Sequence, residues 1–150
     1  MPVWAERPGA TTDLANELRP ILLRLARELR KETAHLGITG GQTTVLWQIS
    51  EHPGIGLRAL AEREGIATPT VSGLVDRLQR AGLVERVRSE TDRRRVGLTI
   101  TPAGARLLVA VRARRTVWLA ERLQRLAPSQ RAAIAGALAP LAGLIADSGS

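Results

Sequence analysis

Cysteine is absent from the 150-residue sequence, and so are phenylalanine and tyrosine. Without cysteine the chain has no disulfide framework, no thiolate-metal site and no cysteine redox switch, so we expect to find it in the cytoplasm. Because the aromatic residues are reduced to three tryptophans, these three side chains supply every aromatic surface on which a ligand could stack.

Motifs of catalytic, metal and cofactor sites are also missing. The sequence has two histidines, no His-Glu-x-x-His pair and no glycine-rich loop that ends in Gly-Lys-Ser or Gly-Lys-Thr. The segment Gly40-Gly41-Gln42-Thr43-Thr44 has the glycines of a phosphate loop, but it lacks the lysine and follows no predicted strand. The sequence therefore predicts no enzyme, no metal and no cofactor.

Long hydrophobic runs are lacking as well. The longest uncharged apolar run, residues 132–146, is shorter than the roughly 20 residues of a bilayer span and contains Pro140. We therefore expect a buried interface helix here and no association with a membrane. Residues 1–12 show neither the basic nor the apolar part of a signal peptide, and they are predicted to form a flexible arm.

Acidic residues are outnumbered, with 14 against 22 basic residues and a formal net charge of +8. Such an excess of positive charge repels itself unless a polyanion such as nucleic acid is bound. The alternative is a genome composition that favours arginine and alanine. Composition alone leaves both explanations open.

Apolar residues recur every three or four positions over six segments, which predicts six helices. Capping residues precede four of them: Thr12, Thr39 with Gln42, Thr68 with Pro69, and Thr101 with Pro102. Pro20 predicts a kink in the first helix, and Pro140 a kink or a split in the last. The predicted helices are residues 13–36, 39–51, 57–64, 68–81, about 24 residues from 102 onward, and 128–146.

Two short β-branched runs, residues 83–87 and 96–101, flank a charged tip over residues 89–95. This pattern predicts a β-hairpin between the fourth and fifth helices. The expected fold class is mainly α with a small β-hairpin wing (α+β).

The segment 57–78 has the spacing of a helix-turn-helix. Ala61 is small where two helices must cross closely, Gly65 lies at the turn, and Ile66, Val71 and Leu74 are predicted to fill the crossing. An ordinary corner between two helices is the alternative. The hairpin that follows favours a winged helix-turn-helix, whose helix and wing address one DNA duplex.

Residues 85–95 contain five arginines and three acidic residues. A charged hairpin tip is usually only solvated. Here Arg93, Arg94 and Arg95 are consecutive, and they would repel one another without a partner. The narrow minor groove of DNA, with its strong negative potential, suits such a tip.

Four motifs now identify a known pattern: Leu74-Val75-Asp76-Arg77-Leu78, Gly82-Leu83-Val84-Glu85-Arg86, Asp92-Arg93-Arg94, and Leu98-Thr99-Ile100-Thr101-Pro102-Ala103-Gly104. Together they resemble the MarR family of winged helix-turn-helix transcriptional regulators, and the resemblance extends over nearly the whole chain. It implies one unit over residues 13–150, in which helices 13–36 and 102–146 form a homodimer and residues 39–101 form the winged-helix part. A larger monomeric bundle is the alternative.

The resemblance further implies a repressor that reads a pseudo-palindromic operator in double-stranded DNA. Helix 68–81 would enter the major groove and the wing, residues 85–96, the minor groove. Asp92 would brace the wing by an ion pair with Arg94 or a neighbour, and Asp76 would pair with Arg80 or Arg86. The expected DNA contacts are Thr68, Pro69, Thr70, Ser72 and Gly73 near base edges, Arg77 and Arg80 at phosphates, and the wing residues Arg86, Arg93, Arg94 and Arg95.

Gly73 departs from the family, because many relatives carry an arginine there. Members of the family often release DNA when a small anionic aromatic ligand enters a cleft beside the dimer helices. The residues that would line this cleft are His35, Trp47 and Trp118, for which a surface histidine and core tryptophans are the alternative. The competing function is a winged-helix module that binds protein without specific DNA binding.

Overall fold

Six α-helices and one β-hairpin make up the part of the chain, residues 7–89, 91–92 and 94–146, that the computed structural model describes. The α-helices are α1 (Ala10–Thr33), α2 (Gly40–Glu51), α3 (Leu57–Glu64), α4 (Thr68–Arg80), α5 (Pro102–Gln124) and α6 (Pro128–Gly143). A 3₁₀ turn, Ala34–Leu36, extends α1, and the strands are β1 (Val84–Arg88) and β2 (Val96–Ile100). The mainly helical fold with a hairpin wing is confirmed. Each helix in these ranges is too short or too polar to span a bilayer.

The hydrophobic core lies within the winged-helix part and the first half of α5. It is built from the inward faces of α2, α3, α4 and the hairpin, because apolar residues recur there at helical or strand spacing. Its buried members include Val45, Leu46, Ile49, Leu60, Ala61, Val71, Val75, Leu78, Val84, Leu98, Leu108 and Val111.

Two helix starts follow the sequence prediction closely. Thr39 accepts a hydrogen bond from the backbone N–H of Gln42 (3.2 Å), and the Gln42 side chain accepts one from the N–H of Thr39 (3.0 Å), which completes the capping box. The Thr101 hydroxyl accepts a hydrogen bond from the N–H of Gly104 (3.1 Å) and donates to the carbonyl of Gly82 (2.6 Å). The start of α5 is thereby fastened to the turn that follows α4.

Gly104 makes this junction tight. A Cβ atom at this position would overlap the carbonyl oxygen of Leu83. The backbone N–H of Thr101 also donates to that carbonyl, at 3.0 Å. The first turn of α5 therefore packs directly on the backbone between α4 and β1.

Two predicted helix ends, the start of α1 and the end of α6, and two predicted N-caps, Thr12 and Thr68, are wrong. α1 begins at Ala10 rather than Asp13, because Gly9 turns the chain at φ 90° and Thr12 lies inside the helix. Residues 10–12 of the predicted arm are thus helical, and residues 1–6 lie outside the described ranges. α4 is capped by the extended residue Ala67, and Thr68 is its first residue. α6 is not split at Pro140, since one missing hydrogen bond does not end it, and it stops at Gly143.

The helix-turn-helix differs from the prediction at one side chain. Gly65 takes the expected left-handed conformation, at φ 63°, and Ala61 and Val71 are buried. Ile66, however, is 40% exposed. It follows the left-handed turn and lies outside the crossing of α3 and α4, so it does not fill that crossing as predicted.

The hairpin has a third, very short partner strand. β1 and β2 pair antiparallel, with Val84 opposite Ile100 and Arg88 opposite Val96. Ile55 pairs with Leu98 on the free edge of β2, where the N–H of Leu98 donates to the carbonyl of Ile55 at 2.8 Å. The segment before α3 is thereby held at the base of the wing.

Candidate DNA interface

Helix α4 buries one side and presents the other to solvent. Val71, Val75 and Leu78 face the core, because their spacing places them on one side of the helix. The residues that sequence reasoning assigned to DNA lie on the remaining surface. Among them Thr68, Pro69, Thr70, Arg77 and Arg80 are exposed, and Ser72 and Gly73 are half-buried.

Gly73 lies in open space. A Cβ atom built at this position would meet no other atom within 4 Å. The middle of α4 therefore carries a gap in its side-chain surface, where a Cβ atom meets no neighbouring element.

Arg86 joins the wing to α4. Its Nη2 atom donates to Asp76 Oδ1 at 3.0 Å, and its Nε donates to Gln79 Oε1 at 3.1 Å. Of the two partners predicted for Asp76, Arg86 is the one found. The guanidinium group is held on α4 by two acceptors, so its role is to fix β1 against the helix. These two bonds connect the α4 surface with the base of the wing.

Asp92 organises the tip of the wing. Its Oδ1 accepts a hydrogen bond from the backbone N–H of Arg94 at 3.1 Å, and its Oδ2 lies 3.8 Å from the Nε of Arg95. The ion pair is therefore made with Arg95, the neighbour, and the Arg94 side chain remains exposed. Arg93, the third predicted wing arginine, lies outside the described residues.

A cleft of about 370 Å³ lies between α2 and α5. One wall is the Trp47 ring, over which the Arg112 guanidinium lies 4.7 Å from the ring centre. The cleft is lined by Thr43, Thr44, Trp47, Leu108, Val111, Arg112, Arg115 and Thr116.

Arg115 ties this cleft to α1. Its Nε donates to the carbonyl of Leu29 and its Nη2 to the Thr33 hydroxyl, each at 3.2 Å. Burial lowers the pKa of the Arg115 guanidinium from its ordinary value, and the nearby charge of Arg30 lowers it further. An anion bound in the cleft would favour the charged form of Arg115 and so oppose both effects on its pKa.

Of the three predicted ligand residues, only Trp47 lines this cleft. Trp118 is buried, with the Arg122 guanidinium 3.7 Å from its ring centre, and it serves as a core residue. His35 is exposed in the 3₁₀ turn after α1. Neither side chain lines this cleft, because the sequence does not show which face of each helix meets α2.

The helices outside the winged part expose much apolar surface. In the range described for it, α6 has no buried residue at all. A single chain leaves these side chains in water, which is unusual for a soluble fold and is typical of an interface. The exposed apolar residues of α1, α5 and α6 include Leu14, Ile21, Leu22, Leu23, Leu25, Val109, Val117, Leu119, Ile134 and Leu138.

Comparison with known proteins agrees with this architecture. The family model "MarR family" matches residues 38–96, which contain α2, α3, α4 and the wing. An HTH-type transcriptional regulator of Mycobacterium bovis is 32% identical over 118 residues, which are 79% of this chain and 82% of the relative. The chain belongs to the MarR family. Its members are transcriptional regulators and do not form a class of enzymes.

Solved structures extend the MarR match to nearly the whole chain. A MarR family protein from Bacillus stearothermophilus superimposes with a TM-score of 0.77 at 27% identity, over 90% of this chain and 94% of that one. A mutant of MepR from S. aureus, bound to an oligodeoxyribonucleotide, superimposes with a TM-score of 0.67 over 88% and 97% of the two chains. At 21% identity, this second match shows the MarR fold alone.

Sequence reasoning missed two arginines of this MarR chain. Arg112 and Arg115 were not among the candidate residues, although both line the cleft between α2 and α5 together with Trp47. Each follows a buried α5 residue by four positions, Arg112 after Leu108 and Arg115 after Val111. That spacing, which places a cation on an apolar helix face, was the available signal.

Proposed function

We propose that this chain is a dimeric repressor that binds a pseudo-palindromic operator in double-stranded DNA and acts in the cytoplasm, where it meets the chromosome. α4 enters the major groove and residues 85–96 enter the minor groove. The observation that carries the proposal is the bond of Arg86 to Asp76 and Gln79, which joins the exposed side of α4 and the arginine-bearing wing into one face.

The residues on this face divide by their chemistry. Thr68, Pro69, Thr70, Ser72 and Gly73 approach base edges, whereas the long cations Arg77 and Arg80 reach phosphates. Arg94 and Arg95, together with Arg93 outside the described residues, enter the minor groove. The negative charge of Asp76 would repel DNA, and the ion pair with Arg86 neutralises that charge.

The dimer is supported by the apolar surface of α1, α5 and α6. Burying this surface against a second copy about a two-fold axis removes it from water. Two α4 helices about one DNA turn apart, 34 to 36 Å, would then read two half-sites. A dimer bound across a promoter would exclude other proteins from the same DNA, which is how it represses.

The test is selection of binding sites from random-sequence duplex DNA, followed by transcription in vitro from a promoter that carries the selected site. We expect a palindrome with half-site centres about 10 base pairs apart and reduced transcription when the protein is added. A non-palindromic winner would contradict the dimeric reading. Absence of enrichment, with elution from heparin at low salt, would favour the protein-binding module instead.

A second function is supported by the cleft between α2 and α5. Trp47 offers a stacking surface, Arg112 and Arg115 offer two cations, and three threonines offer hydroxyl groups. This set suits a small aromatic carboxylate. Because α2 packs against α4, a ligand that binds better when α2 and α5 separate would shift the position of the recognition helix and release DNA.

Benzoate, with uncharged benzamide as the matched control, tests this proposal. We expect benzoate to change Trp47 fluorescence and to bind at least about tenfold more tightly than benzamide, because charge-assisted hydrogen bonds to the arginines are lost with the amide. Arg112→Met should remove most of that difference, and Trp47→Leu should remove the signal. Equal binding of the two compounds would contradict an anion site.

A further inference from the structure

A second cleft, also lined by arginines, lies beside the wing. The α3 residues that line it are not part of the DNA interface proposed above. It has a volume of about 830 Å³ and is bounded by the first turns of α3 and by both strands of the hairpin. Its charged lining consists of Arg58 and Glu62 from α3 and Arg88 and Arg95 from the hairpin. We call it the wing cleft.

The wing cleft lies on the opposite side of the hairpin from α4. In the antiparallel register, Val87 pairs with Gly97 and Glu85 with Thr99, so these four residues share one face. Val87, Gly97 and Thr99 line the wing cleft. Arg86, paired with Leu98, points from the other face to α4. The hairpin therefore separates the wing cleft from the recognition helix.

The wing cleft has the guanidinium groups of Arg58 and Arg95 against the one carboxylate of Glu62, and its charge is positive. Arg88 also borders it, but Arg88 is paired with Val96 and shares the α4 face of the hairpin with Arg86. Glu62 lies 3.4 Å from the Nε of Arg58, but the two side chains are 71% and 90% exposed. An ion pair so open to water contributes little and yields readily to another anion. Guanidinium groups bind phosphate oxygens through two parallel hydrogen bonds, so phosphate is the anion that this lining suits best.

The position of the cleft identifies which phosphates it would meet. A hairpin tip in the minor groove has one sugar-phosphate strand on each of its two sides. The strand on the α4 side passes Arg77 and Arg80. The other strand passes the face that carries Val87 and Gly97, where the wing cleft opens.

We infer that the wing cleft binds phosphates of the DNA strand on the far side of the wing from α4, with Arg58 as the contacting residue. This inference rests on the proposed DNA-binding function and extends the interface to α3. Arg95 lies in both the cleft lining and the wing tip, so the two surfaces are continuous.

The test measures affinity for a 40-base-pair duplex of random sequence as a function of salt concentration. Each lost phosphate contact lowers the slope of log affinity against log salt by about one unit. We expect a reduction of about one unit and a loss of roughly tenfold in affinity for Arg58→Ala. Arg58→Lys should retain most of the binding of the wild type, because it retains the charge.

Three further variants separate a local contact from a general loss of charge. Glu62→Gln removes the competing carboxylate and should tighten binding about two- to fivefold. Arg125→Ala removes an exposed cation at the far end of α5 and should leave the slope unchanged. Arg94→Ala serves as the reference for a wing contact and should lower the slope by about one unit.

The outcomes distinguish this inference from the function on which it rests. If Arg94→Ala lowers the slope while Arg58→Ala behaves as the wild type does, the wing cleft does not contact DNA, and the proposed function stands. If the wild-type chain shows no salt-dependent binding to any duplex, both fail. Circular dichroism checks that each variant is folded, and Glu62→Gln tests the cleft without removing an arginine.

Discussion

A chain that carries Ile134→Asp should sediment as a monomer and bind its operator at least about a hundredfold more weakly than the wild type. Ile134 is 42% exposed in the single chain, and α6 buries none of its described residues. The Ile134 side chain is therefore removed from water only when α6 packs against a second copy of the chain. A carboxylate at such a contact is buried without a partner. A monomer also loses the gain in affinity that comes from two linked half-site contacts.

Leu138→Asp, at a position that is 62% exposed, should have the same effect. Ser129→Asp is the matched control, because it adds the same charge to the exposed first turn of α6, where a carboxylate is favourable. The core lies between Ile38 and Val111, so the monomeric variants should keep their helical circular dichroism. An unchanged dimer in sedimentation of both variants would remove these residues from the interface.

Gly73→Arg should raise affinity for a guanine-containing site about tenfold to a hundredfold. The helix offers Thr70 and Ser72 for base readout but no arginine at position 73, so direct readout is expected to be modest and DNA shape correspondingly important. A Cβ atom at position 73 meets no neighbouring element within 4 Å, so the new side chain starts in open space. A bidentate contact of arginine with guanine contributes about 1–3 kcal/mol.

Gly73→Ala is the matched control for this variant. A glycine inside a helix costs roughly 1 kcal/mol relative to alanine, so both substitutions should raise the melting temperature, but only arginine adds a base contact. Thr70→Ala is measured alongside, on specific and scrambled duplexes at two salt concentrations. If Gly73→Arg folds and binds both duplexes as the wild type does, and Thr70→Ala has no effect, this face of α4 does not meet DNA.

Features that depend on neighbours in the sequence were predictable. The Thr39 capping box and the Thr101 cap each join residues three positions apart, and Gly65 ends α3 by its own backbone freedom. Non-local contacts were not predictable. The pairing of Ile55 with Leu98 needs two distant segments to meet, and nothing in the short run around Ile55 specifies its partner.

In the candidate interface, too, the local features were predictable and the non-local contacts were not. The exposed side of α4 followed from the spacing of Val71, Val75 and Leu78. The choice between Arg80 and Arg86 as the partner of Asp76 stayed open, because it depends on how β1 crosses the helix. Arg112 and Arg115 were missed for a related reason: their importance comes from the packing of α5 against α2 and α1.

The fastening of α5 to the turn after α4 makes α5 a lever arm. Thr101 and Gly104 fix its first turn to the backbone at Gly82 and Leu83, so a rotation of α5 carries the recognition helix with it. A helix of 23 residues is roughly 35 Å long, and a tilt of about 5° displaces one end relative to the other by about 3 Å. That displacement is close to the rise of one base pair, about 3.4 Å. A slight change in the angle between the two copies would therefore misalign one recognition helix with its half-site.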